Sequence, residues 1–146
     1  DRAGGLVNKF MGDAVLAVFG APVEHEDHAG AALVAARRMA ARLAEEVPEI
    51  RAGIGVSTGE AVAGNVGDAK RFEYTVIGDA VNTAARLTEL AKDAPGCVLV
   101  TRATVEEAGG DEARRWADHG DVTLRGRSST TATSVLADQA RATRSA

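Results

Sequence analysis

Cysteine is almost missing from this chain. Cys97 is the only one in 146 residues, which excludes an internal disulfide and fits a reducing compartment. Aromatic residues make up only 3%, so the core has to be built from Ala, Val, Leu and Ile. A surplus of basic charge is lacking as well. The net charge of −4 argues against a nucleic-acid surface, and no nucleic-acid partner is expected. It leaves nucleotide binding open, because that needs only a few placed cations. Long hydrophobic runs are absent too. The longest, Ala14 to Val23, contains Gly and Pro and is too short to cross a bilayer; no signal-peptide pattern is present. What remains is a chain that is 45% hydrophobic and long enough for one domain with a real core. It starts at Asp1 rather than Met, which reads as a fragment of a longer protein.

The richest stretch lies near that start. Leu6, Val7 and Phe10 precede a Gly12-Asp13 pair, and Val15, Leu16, Val18 and Phe19 follow it. Gly-Asp between two apolar runs predicts a tight hairpin. The hairpin lifts one carboxylate, Asp13, out of an apolar ribbon, and a cation bound to phosphates is its natural partner. From Glu24 to Val47 apolar residues recur at three and four, which predicts a helix with acidic residues at its start and Pro48 after its end. Ile50 to Val56 and Phe72 to Val76 alternate as strands, with Ala61 to Ala63 between them. Gly78-Asp79 opens a second helix with Asp79 as its expected N-cap, and Pro95-Gly96 stops it. Cys97 to Val100 reads as a short strand, Thr101 as the cap of a short helix ending at Gly109-Gly110, and Val122 to Leu124 with Thr133 to Leu136 as a closing strand pair around Arg125-Gly126-Arg127. The fold class is α+β or α/β, one domain over residues 1–137 with a polar tail over 138–146.

Several patterns carry no chemistry of their own. Gly109-Gly110-Asp111-Glu112-Ala113 resembles the diguanylate cyclase signature, but it follows a helical stretch and reads as a helix C-cap. Gly53, Gly55 and Gly59 have no helix after them, so the dinucleotide-loop context fails. Gly64, Gly67 and Lys70 miss the Walker spacing. His25-Glu26-Asp27-His28 holds metal-ligand types, yet reads better as a polar first helical turn. Asn82 and Arg86, four apart on the second helix, share a face suited to a ribose and a phosphate; taken alone they read better as a solvated face.

Together, the strings NKFMGDAVLAVFGAP and RFEYTVIGDAVNTAARL resemble the class III nucleotidyl cyclase catalytic domain, from about Gly4 to Leu136. The details are most similar to bacterial adenylate cyclases with a Lys/Thr purine pair, including actinobacterial ones joined to a HAMP linker and membrane segments. The resemblance implies a ferredoxin-like α+β fold with a mainly antiparallel sheet packed on helices. It implies conversion of ATP to 3′,5′-cyclic AMP and pyrophosphate, assisted by two Mg2+ or Mn2+ ions. By position, Asp13 matches a metal-binding aspartate, Lys9 and Thr75 the pair that selects adenine, Asn82 the residue that orients the ribose, and Arg86 the arginine of the transition state. Arg125, or in second place Arg127, falls where the family has a basic residue for the terminal phosphates. The resemblance also implies that each site is shared across a head-to-tail homodimer, with Asp13 of one chain facing Lys9, Thr75, Asn82 and Arg86 of the other.

One departure stands out. The family's second metal aspartate lies on an earlier internal strand, and nothing before Leu6 matches it. The N-terminal strand and helices are therefore expected to be missing from this chain, leaving a gap in the sheet and a weakly active or inactive fragment. The alternatives are a non-catalytic cyclase-homology module for dimerisation or regulation, and a guanylate cyclase, which would more often carry Glu at position 9. A cytoplasmic catalytic domain is expected, with membrane association of the parent left open. The regulatory signal is not legible in the sequence.

Overall fold

The computed structural model describes residues 6–11, 14–20, 26–50, 52–66, 73–124 and 129–140, the backbone alone at 6–11, 14, 62–66 and 73–76. In chain order the elements are β1 (Leu6–Met11), β2 (Ala14–Val18), α1 (His28–Glu46), β3 (Ile54–Val56), β4 (Val62–Val66), β5 (Glu73–Ile77), α2 (Asp79–Ala91), β6 (Val98–Thr101), α3 (Arg102–Ala108), α4 (Gly110–Ala113), β7 (Trp116–Thr123) and β8 (Thr130–Leu136). A single 3-10 turn, Pro95–Cys97, leads into β6. The strands form three sheets: a β1–β2 hairpin, a β4–β5 hairpin, and a four-stranded sheet in the order β3-β6-β8-β7. Only β3 and β6 run parallel; every other pair is antiparallel. This is the expected α+β class with a mainly antiparallel sheet.

β6 organises the core. All four of its residues are buried, and its alternating side chains feed two clusters. Val98 and Val100 pack with Leu33 and Ala36 of α1, Val105 of α3 and Trp116. Leu99 packs with Leu87 and Ala91 of α2, Leu124 and Val135. A short strand apolar on both faces is what a helix on each side requires. As the low aromatic content predicts, Trp116 is the one aromatic in either cluster. β3 pairs with β6 on one side and has no partner strand on its other edge among the described residues.

Several local expectations shift. α1 starts at His28 rather than Glu24, because Asp27 caps it by accepting from the Gly30 amide at 3.1 Å. The cap of α2 is Gly78, not Asp79; Gly78 holds φ +154°, and Asp79 is the first helical residue. A Cβ at Gly78 would lie 3.0 Å from the Ala61 Cα, so the helix start is pressed against the chain entering β4. The strand read from Ile50 begins only at Ile54, and Ile50 itself is exposed. The closing pair is longer than predicted, since β7 runs from Trp116, where polar residues alternate with half-buried ones on an edge strand. Thr101 caps α3 as expected, accepting from the Thr104 amide at 3.3 Å.

The Gly109-Gly110 pair is a helix-to-helix junction. Gly109 closes α3 at φ +59° and Gly110 opens α4 at φ +57°. Glu112 of α4 receives two hydrogen bonds from Arg37 of α1, at 2.8 and 2.7 Å, and a third from the Trp116 indole at 2.9 Å. Burial alone would raise the Glu112 pKa, but the hydrogen bonds from Arg37 and Trp116 outweigh it and hold the carboxyl below its ordinary value. The Glu112 hydrogen bond and charge in turn raise the Arg37 pKa. The motif thus ties α1, α4 and the start of β7 together. Ala140 packs on the second cluster, while residues 141–146 of the expected tail lie outside the described residues.

Candidate active site

Four of the residues singled out in the sequence fall on three described elements. Lys9 lies on β1, paired with Leu16 of β2, and Met11 pairs with Ala14 to close the hairpin. Asp13 is in the connection and lies outside the described residues. Between Val7 and Lys9 the register slips by one residue, a bulge that changes which face the following residues occupy. Thr75 is in the middle of β5, opposite Gly64 of β4. Asn82 and Arg86 are on α2. Arg125 and Arg127 fall between Leu124 and β8, outside the described residues.

The geometry of α2 is informative. Its buried residues are Thr83, Leu87 and Ala91, a stripe of every fourth residue facing the sheet. At about 100° per residue, Asn82 and Arg86 lie roughly opposite Ala84 and Thr88, the two residues against which β3 sits. Asn82 is exposed and Arg86 half-buried. No described residue supplies either side chain with a hydrogen-bond or ion-pair partner. A guanidinium with no ion-pair partner among the described residues, one turn from an amide on the same helix, has the donors that a phosphate-bearing ligand takes.

On the sheet side of the same helix lies a cleft of about 310 Å³, lined by Ser57, Thr58, Glu60, Asp79, Thr83 and Thr101 among others. None of the predicted site residues lines it. Its described lining carries two carboxylates, Glu60 and Asp79, and no cation. The His-Glu-Asp-His stretch is used structurally where it is described: Asp27 caps α1, and His28 lies 3.3 Å from the Glu107 carboxylate. Among the described residues no group of three His, Cys, Asp or Glu is arranged to hold a metal. No described helix is long and apolar enough to cross a membrane.

Sequence reasoning passed over Gly53 and Gly55, dismissed as a failed dinucleotide loop. In the fold they line the contact between β3 and α2. The signal was present, because glycine inside a strand marks a close backbone approach.

The described elements form an α+β domain that carries an amide and an arginine on one face of a helix, a pairing suited to a ribose and a phosphate. The comparisons with known proteins make it specific. The model of the adenylate and guanylate cyclase catalytic domain matches residues 7–137, and the chain belongs to that family. An uncharacterized protein of Mycobacterium tuberculosis is 55% identical over 126 residues, 86% of this chain and 24% of its own length. The chain thus spans about a quarter of the curated relatives it matches. Two solved structures share the fold at 28% identity. The guanylyl cyclase Cya2 has a TM-score of 0.74 over 93% of this chain and 71% of its own. The adenylyl cyclase CyaB from P. aeruginosa has 0.69 over 94% and 74%. Both nucleotide specificities are therefore found among the neighbours.

Proposed function

We propose that this chain is the catalytic part of an adenylate cyclase, which closes ATP to 3′,5′-cyclic AMP with loss of pyrophosphate. The observation that carries the reading is the placement of Asn82 and Arg86, side by side on the outward face of α2 and with no ion-pair partner for Arg86 among the described residues. In the reaction the ribose 3′-oxygen forms a bond to the α-phosphorus, the bond from that phosphorus to the bridging β-oxygen breaks, and the hydroxyl proton passes to solvent. Asn82 orients the ribose so that the 3′-oxygen is in line. Arg86 meets the negative charge that grows on the phosphoryl oxygens and leaving group, where a placed cation acts most strongly. Arg125, or Arg127 in its place, binds the terminal phosphates.

Base selection rests on Lys9 and Thr75. Adenine presents an acceptor at N1 and donors at N6; the Lys9 ammonium only donates, and the Thr75 hydroxyl accepts. Guanine presents an N1–H that Lys9 cannot accept, and an unmatched buried donor costs about 1–3 kcal/mol. Class III cyclase domains work with divalent metal ions in general. The donor chemistry of Asp13 fits in part: its carboxylate supplies the hard oxygen that Mg2+ or Mn2+ requires, while the second metal aspartate has no counterpart in this sequence. When bound, two such ions would neutralise phosphate charge and ease deprotonation of the 3′-hydroxyl. Asp13 of one chain is proposed to complete the site formed by Lys9, Thr75, Asn82 and Arg86 of a second copy. The parent protein, a HAMP-type linker and a membrane anchor belong to the same proposal, with this domain on the cytoplasmic side.

The test is cyclic nucleotide production by the intact protein with Mn2+, offered ATP or GTP. Cyclic AMP formation that Asp13→Ala abolishes supports the reading. Cyclic GMP as the main product would make it a guanylate cyclase. A folded dimer with neither activity would make it a regulatory cyclase-homology module.

A further inference from the structure

We propose that Gly55 is a positioning residue for Arg86: bare strand β3 is the seat that sets how far α2 stands from the sheet, and hence where its outward face meets the nucleotide. The inference rests on the adenylate cyclase reading above. α2 runs antiparallel to β3, with Ala80 near Gly59, Ala84 and Thr88 at Gly55, and Thr88 and Lys92 at Gly53. At Gly55 a Cβ would lie 2.5 Å from the Ala84 carbonyl oxygen, 2.5 Å from the Thr88 amide nitrogen and 2.7 Å from the Thr88 hydroxyl. The first two are helix backbone, which no rotamer change moves aside. The Thr88 hydroxyl is itself committed, donating to the Ala84 carbonyl at 2.8 Å, a back-bond that tends to bend a helix at that turn. Gly53 offers still less room, with a Cβ 2.2 Å from the Thr88 carbonyl oxygen.

Arg86 lies midway between Ala84 and Thr88 in sequence and on the far side of the helix. A methyl group at position 55 therefore pushes α2 outward along the direction in which Arg86 and Asn82 point. Restoring ordinary contact from 2.5 Å needs a shift of about 1 Å, and a 1 Å misplacement of a catalytic group costs on the order of 10²-fold in rate. Gly59 is the internal control on the same contact, because among the described residues its Cβ would meet only the Ala80 methyl, at 3.3 Å.

The experiment is a double-mutant cycle between Gly55→Ala and Arg86→Ala in the intact protein, with kcat and KM for ATP measured on folded dimers. If Gly55 acts through Arg86, Gly55→Ala lowers kcat about 10²-fold with KM within about threefold, and adds less than about threefold once Arg86 is already alanine. Gly59→Ala leaves kcat within about threefold. Equal losses in both backgrounds, or an unchanged kcat in a folded Gly55→Ala dimer, overturn the inference while leaving the cyclase reading intact. A wild-type protein without cyclase activity overturns that reading instead. The seat is then judged from crystal structures of wild type and Gly55→Ala, in which an α2 displaced by less than about 0.3 Å overturns it and one displaced by about 1 Å upholds it.

Discussion

At the scale of the residue, two side chains illustrate opposite uses of local energy. Cys97 holds φ +60°, the only positive φ at a non-glycine among the described residues, and its thiol makes only a long contact of 3.7 Å to the Lys92 carbonyl. The left-handed region costs an L-residue roughly 1–2 kcal/mol, of which the greater unfolded-state freedom of glycine returns about 0.5–1. Cys97→Gly is accordingly expected to stabilise the domain by about 0.5 kcal/mol, seen as a rise in Tm of about 1–2 °C; a lower Tm would show that the thiol contributes packing. Glu112 does the reverse and holds three elements in place. Its depressed pKa means that its stabilisation is fully present above the unfolded carboxylate value of about 4.5 and is lost as pH falls through the lower folded value. Glu112→Gln is expected to cost about 1 kcal/mol near neutral pH. Urea midpoints of the two proteins should converge as the pH drops below about 4. A gap that persists in acid would assign the effect to shape rather than charge. The Glu112 role was not legible in the sequence, because Arg37 and Trp116 meet it only in the fold, 75 and four positions away.

At the scale of the element, the sequence was readable where periodicity was strong and misleading where glycine intervened. The hairpin β1–β2 follows from a Gly-Asp pair between apolar runs, the helix α1 from three-four spacing and the buried strand β6 from a short apolar run. The strand β3 was read from its alternation, but the use of Gly53 and Gly55 was not, since their meaning depends on a helix some thirty residues further along. Lys9 and Thr75 were visible as candidates only through the resemblance, because they sit on two different hairpins, β1–β2 and β4–β5, and no spacing rule joins them. Their proposed pairing on adenine has a direct consequence. The double substitution Lys9→Glu with Thr75→Cys places an acceptor where guanine carries its N1–H, and should move the ratio of kcat/KM for ATP over GTP toward GTP by about 10-fold or more, the equivalent of roughly 1.4 kcal/mol. An unchanged ratio in a folded protein would remove the purine-pair assignment without touching the roles of Asn82 and Arg86.

At the scale of the whole molecule, the proposed site is divided, and the division is itself measurable. Asp13 is carried by the β1–β2 hairpin, whereas Asn82 and Arg86 are carried by α2, which packs on β3 and β6 of the other sheet. Among the described residues neither hairpin is hydrogen-bonded to the four-stranded sheet. If each site draws Asp13 from one copy and Arg86 from the other, Asp13→Ala and Arg86→Ala proteins are both inactive as homodimers but complement each other when mixed. A two-fold dimer has two equivalent sites. A mixed dimer carries both lesions in one site and neither in the other. Equal amounts of the two, exchanged to equilibrium, give half mixed dimers with one working site each, or roughly a quarter of wild-type activity. If instead Asp13 and Arg86 serve the same site from within one chain, every site in every dimer carries a lesion and the mixture stays inactive. Rescue would thus establish a shared site from activity alone, and its absence in dimers shown to exchange would require each copy to act by itself.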